Sequence, residues 1–125
     1  MHTVAQTRAF DRAAAAAGMS EDEIAGLVDF LAENPAAGEE LAGTGGCRKL
    51  RVAGRGKGKS GGYRTITFYS GDHIPVFLIT VFSKGEKANL SKAERNVLHE
   101  ISRAIVSEYR GKVSKLETKK KSAHQ

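Results

Sequence analysis

The run Tyr63-Arg-Thr-Ile-Thr-Phe-Tyr69-Ser-Gly-Asp-His73-Ile-Pro-Val-Phe-Leu-Ile-Thr-Val-Phe82 decides the fold class. Tyr63–Tyr69 is rich in Thr, Ile, Phe and Tyr, whose branched and aromatic side chains suit a pleated strand. Ser70-Gly-Asp-His73 reads as a hairpin turn, and Ile74–Phe82 is almost continuously apolar. Such a run marks a central strand buried on both faces; Pro75, lacking an N–H to donate, fits only near its start. Upstream, Cys47–Val52 alternates enough for another strand, so the middle of the chain predicts an antiparallel meander.

Helical signals flank this meander. Thr7–Ala17 is alanine-rich, and Gly18 is a natural stop for a helix. Ser20-Glu-Asp-Glu23 is a capping box, followed by Ile24, Leu27, Val28 and Leu31 at helical spacing. An amphipathic helix is expected over Ser20–Glu33, ended by Asn34-Pro35, with a loop from Gly38 to Gly46. Ser91-Lys-Ala-Glu94 is a second capping box, and Leu90, Val97, Leu98, Ile101, Ala104, Ile105 and Tyr109 draw an apolar stripe behind it. Met1-His-Thr-Val-Ala5 reads equally as a short edge strand or a disordered start. The predicted architecture is α+β: two N-terminal helices, an antiparallel sheet of three to four strands, and a C-terminal helix. Residues 1–109 form one domain, and 110–125, polar and ending in Lys119-Lys-Lys121, form a basic disordered tail.

With 125 residues, 40% hydrophobic, the chain has apolar material for one core. There is no run of eighteen apolar residues, so no membrane partner is expected. The start shows no secretory pattern, and the single cysteine, Cys47, fits a reducing compartment, so the expected location is cytoplasmic. The net charge of +6 is unevenly spread. Residues 1–40 hold two basic and eight acidic side chains, whereas residues 41–125 hold eighteen basic and six acidic. One face built to meet a polyanion is the expected consequence.

The cations concentrate between Ala42 and Gly71, where Arg48, Lys49, Arg51, Arg55, Lys57, Lys59 and Arg64 occur without any Asp or Glu. The stretch Gly54-Arg-Gly-Lys-Gly-Lys-Ser-Gly-Gly62 lets backbone N–H groups and cations approach phosphate closely. Ala53 to Ser60 satisfies a relaxed P-loop pattern, but a P-loop is followed by a helix whose N-terminus binds the phosphates. Here a β-rich run follows, so a nucleic-acid backbone is the better anion, with Arg48, Lys49, Arg51, Arg55 and Lys57 as RNA-binding candidates. His2, His73, His99 and His124 are scattered without metal-ligand spacing, so no metal is expected and the histidines read as solvent-exposed. Cys47 reads as a buried or half-buried strand cysteine rather than a nucleophile. In an antiparallel meander, the start of one strand lies beside the end of its neighbour. Arg64 and the Ser83–Lys87 turn should therefore meet at one sheet edge, where an anion would neutralise the cluster.

Three segments together are similar to a known family. Gly46-Cys-Arg-Lys-Leu-Arg-Val, Gly-Lys-Ser-Gly-Gly-Tyr-Arg64, and Val76-Phe-Leu-Ile-Thr-Val-Phe-Ser-Lys-Gly-Glu-Lys-Ala-Asn-Leu-Ser91 resemble the RelE/ParE superfamily, specifically HigB/RelE-like toxins of type II toxin–antitoxin systems. The resemblance covers roughly Thr7 to Tyr109 and implies the compact RelE-like α+β fold. It also implies a ribosome-dependent mRNA interferase, an endoribonuclease silenced by a cognate antitoxin, for which a helix-turn-helix type is expected. The ribose 2′-OH would attack the adjacent phosphate, so no cofactor is called for. Catalysis would rest on in-line positioning and on stabilising charge at the phosphoryl oxygens.

By the same resemblance, Arg64 matches the family's phosphate-stabilising arginine, and Lys57 and Lys59 match its loop cations in kind. Lys84 and Lys87 fall on the basic turn after the last strand. The chain departs from well-known members in two places: Gly85 follows Lys84 where some carry arginine, and no tyrosine occurs between Tyr69 and Tyr109. Proton transfer then falls to Glu86 and Lys87. The catalytic candidates are thus Arg64, Lys84, Lys87, Lys59 and Glu86. Two other readings compete: a ParE-like toxin that inhibits gyrase without cutting RNA, and a non-catalytic basic RNA-binding module.

Overall fold

The computed structural model describes residues 1–53, 62–71, 73–83 and 89–123, with side chains as far as Tyr109. The elements are β1 (Val4–Gln6), α1 (Arg8–Ala17), α2 (Glu21–Glu33), β2 (Glu39–Glu40), β3 (Cys47–Ala53), β4 (Gly62–Phe68), β5 (Val76–Ser83) and α3 (Lys92–Ala123). One sheet joins the strands in the order β1-β5-β4-β3-β2.

Local chemistry explains the helix ends. Thr7 caps α1: its hydroxyl accepts from the Phe10 N–H at 3.0 Å and donates to the Leu78 carbonyl at 2.9 Å, tying the helix start to β5. Gly18 closes α1 in the left-handed conformation at φ 76°, its N–H reaching the Ala14 and Ala15 carbonyls. Both capping boxes form reciprocally. The Ser20 N–H donates to Glu23 at 2.8 Å while the Glu23 N–H donates back at 3.1 Å, and Ser91 and Glu94 repeat the pattern at the same distances.

The meander is antiparallel as expected, β3 with β4 and β4 with β5. The sheet as a whole is mixed and five-stranded, which corrects the predicted three or four antiparallel strands. Of the two openings left for the N-terminus, the edge strand is the one formed: β1 runs parallel to β5, Val4 opposite Val76. The Val76 N–H donates to the Thr3 carbonyl at 2.9 Å, so pairing begins immediately after Pro75, the residue with no N–H. The predicted Gly38–Gly46 loop contains β2, where Glu39 lies opposite Lys49 and Glu40 opposite Arg48. Opposite charges facing each other across strands favour this pairing.

The two faces of the sheet carry two cores. On one, Phe10 and Ala14 of α1 and Leu27 and Leu31 of α2 pack with Tyr63, Val76, Leu78 and Val81. On the other, Leu98 of α3 packs with Cys47, Ile66, Phe68 and Ile79, joined by Phe77 and Phe82. β5 therefore serves both cores, as its almost continuously apolar run predicts. An irregularity in the register at Ile66/Thr67 leaves Ile79 without a partner across the strand pair. The extra residue resets the alternation, so that Val81 rejoins the face of Val76 and Leu78. Phe10 is fully buried, which stabilises the α1–β5 contact by about 1.5–3 kcal/mol.

Candidate anion site at the end of the sheet

Strand register sorts the basic residues. Arg51 of β3 lies directly opposite Arg64 of β4, and Lys49 lies two residues before Arg51 on the same face. Two guanidinium groups paired across strands repel each other unless an anion sits between or beside them. Arg64 is half-buried, and its Nε is shielded from solvent with no hydrogen-bond partner among the described residues. A buried donor without an acceptor is costly, and a phosphate oxygen would satisfy it with a charge-assisted bond.

Arg48 does not join this group. Alternation along β3 places it on the opposite face, opposite Thr67, where its Nε is also buried without a partner. The Thr65 and Thr67 hydroxyls share that face and that condition. The basic run Arg48-Lys49-Leu50-Arg51 is thus divided, two cations on the anion-site face and one on the face shared with the core of the N-terminal helices. β2 adds carboxylates that sequence reading assigned to a loop. The signal was two adjacent acidic residues ahead of a basic strand, a pattern that admits cross-strand pairing.

The positions from which the other candidates leave the sheet are well defined. Ala53 pairs with Gly62, and Tyr63 pairs with Ser83, so both chain exits lie at the end that carries Arg51 and Arg64. Arg64 pairs with Phe82 of β5, one residue before Ser83, which opens the turn expected to meet it; the rest of that turn lies outside the described residues. Arg55, Lys57, Lys59, Lys84, Glu86 and Lys87 lie outside the described residues, as does Asp72 of the predicted hairpin turn.

The remaining reactive groups serve structure. Cys47 is buried, its Sγ 3.3 Å from the Ser102 hydroxyl. Burial pushes its thiol above the ordinary range, against the smaller opposing effect of hydrogen bonds from Ser102 and Thr44. Its cationic sequence neighbours do not make it a thiolate. Tyr63 donates to Glu23 at 3.1 Å, linking β4 to the capping box of α2. Burial first, and then the Glu23 carboxylate, raise its phenol. Two histidines depart from the expectation of full exposure. His2 is half-buried, its Nε2 2.9 Å from the Ile74 carbonyl and its ring edge-on to Tyr69, and half-buried His99 lies against Gly45. Among the described residues, no three His, Cys, Asp or Glu side chains gather as a metal-binding group. No helix there is long and apolar enough to cross a membrane.

Fold and site together define a class: a small α+β domain whose mixed sheet ends in juxtaposed cations that can receive an anion. The family model described as "RelE toxin of RelE / RelB toxin-antitoxin system" matches residues 2–123. The chain belongs to that family and is a RelE-like toxin of a toxin–antitoxin system, a membership that implies a cognate antitoxin as partner.

Proposed function

We propose that this toxin is a ribosome-dependent mRNA endoribonuclease acting by metal-independent attack of a ribose 2′-OH on the adjacent phosphate. The observation that carries the reading is the Arg51–Arg64 pair, with the unpartnered Nε of Arg64 buried beside it. Arg64 stabilises charge building on the phosphoryl oxygens, and Arg51 and Lys49 hold the flanking backbone. Lys59, Lys84, Lys87 and Glu86 complete the site. Lys59 assists phosphate binding, Lys84 stabilises the leaving oxygen, and Glu86 and Lys87 transfer protons. Arg55 and Lys57 extend the grip on RNA, while Arg48, on the far face, is given no part in it. The antitoxin inhibits by covering these cations.

Induced expression of the wild type and of Arg64→Ala, with primer extension on a translated messenger, tests the reading. Codon-phased cuts with cyclic-phosphate ends are expected from the wild type. Removing a donor to a developing oxyanion should lower cleavage by about 10²–10³-fold. Growth arrest with intact messenger would overturn the nuclease reading and move the target to a protein such as gyrase. Salt-sensitive RNA binding with neither effect would leave a binding module.

A further inference from the structure

The start of β5 gathers a second group of ligand-bearing side chains, at the end of the sheet away from the cations. β1 runs parallel to β5 from Val4 opposite Val76, and the Val76 N–H reaches back to the Thr3 carbonyl. The residues just ahead of both strands are therefore brought side by side. His2 and His73 line one cavity of about 300 Å³, with Met1, Thr3, Pro75 and Tyr109.

His2 is held in place by three separate contacts. Its backbone N–H donates to the Ala32 carbonyl at 2.8 Å, and its ring stands edge-on to Tyr69 with centroids 5.4 Å apart. Its Nε2 lies 2.9 Å from the Ile74 carbonyl oxygen, in the residue next to His73. A carbonyl can only accept, so Nε2 carries the ring proton and Nδ1 keeps its lone pair. An imidazole fixed in this way by a backbone carbonyl is the usual support behind a metal-ligating histidine. His73 is exposed, and its ring has no hydrogen-bond partner among the described residues. Although the chain carries a net charge of +6, no lysine or arginine is among the residues lining this cavity. The lining thus offers two imidazole donors and no competing positive charge.

We infer that His2 and His73 bind a divalent transition-metal ion of the zinc, copper and nickel group, through Nδ1 of His2 and a ring nitrogen of His73. Imidazole suits these ions, whereas magnesium and calcium prefer oxygen ligands. Water completes the coordination shell, since no third His, Cys, Asp or Glu joins the two among the described residues. The ion clamps β1 to the turn ahead of β5 and stabilises the folded chain by mass action. Phe82, the partner of Arg64, lies about 20 Å further along β5, so the metal takes no part in the proposed cleavage.

The test uses the full, tag-free chain and zinc chloride, with magnesium chloride beside it. Calorimetric titration is expected to show one Zn²⁺ bound per chain and no uptake of Mg²⁺. His73→Ala, a change at an exposed side chain, should weaken Zn²⁺ by about tenfold or more, since a lost ligand costs at least as much as a lost supporting contact. His2→Phe, which keeps a ring against Tyr69, should weaken it alike. His99→Ala, at the ring packed on Gly45, should leave binding unchanged. Zn²⁺ should also raise the melting temperature of the wild type and leave that of His73→Ala unmoved. No binding, equal uptake of Mg²⁺, or unchanged affinity in His73→Ala or His2→Phe would overturn the inference. None of these readouts involves RNA, so failure of the nuclease reading leaves them intact.

Discussion

At the scale of single residues, the same kind of side chain acquires opposite roles from its neighbours. Arg51 and Arg64 are set against each other and call for an anion, while Arg48, three residues before Arg51, lies on the opposite face of the sheet. Cys47 shows the effect of burial on a titratable group most simply. Its folded-state thiol is raised above the ordinary value of 9.0, so its contribution to stability is fully present below that pH. As pH rises further, the unfolded chain releases the proton while the folded chain keeps it, and stability falls. Tyr63 is raised too, but acts only above its own ordinary value of 10.0. Urea unfolding between about pH 8 and 10 should therefore weaken more steeply in the wild type than in Cys47→Ala. Parallel slopes would show that the thiol is not what titrates.

At the scale of elements, caps and glycines decide where helices and strands stop. Gly38 and Gly26 make a controlled comparison. Gly38 has positive φ and no room for a Cβ, whereas a Cβ on Gly26, inside α2, meets nothing within 4 Å. Gly38→Ala should cost about 1–3 kcal/mol through backbone strain and loss of the β2–β3 pairing. Gly26→Ala should stabilise by about 0.5–1 kcal/mol, because alanine surrenders less backbone entropy in a helix. Denaturant midpoints of the two variants check both signs. If Gly38→Ala were neutral, β2 would not hold the turn.

At the scale of the whole molecule, two cores share one sheet, and β5 belongs to both. The last described ring contact of α3 is Tyr109 edge-on to Phe77, with centroids 5.9 Å apart. The sequence beyond it is mostly polar, yet α3 continues to Ala123, so the expected boundary at Tyr109 is a question for truncation. A chain ending at Arg110 should melt within about 4 °C of the full chain, as loss of a surface segment permits. A larger fall would mean that residues past 110 pack on the domain.

The two N-terminal helices, the start of α3, both capping boxes, the antiparallel meander and the two-faced character of β5 were legible in the chain, whereas α3 runs on to Ala123 through a stretch read as tail. Their signals lie between residues a few positions apart: a serine and the glutamate three residues later, or a period of two or 3.6. Arg64 stood out as the last residue of a short motif. Only the tertiary structure joined Val4 to Val76 in a parallel pair and made a strand of Glu39–Glu40. Only the tertiary structure divided Arg48 from Lys49 and Arg51 by face and, among the described residues, ended the β2 pairing of β3 at Lys49. The physical reason is range. Periodicity and caps are settled by neighbours in sequence, whereas register, face and edge are settled by residues tens of positions away, once burial has brought them together.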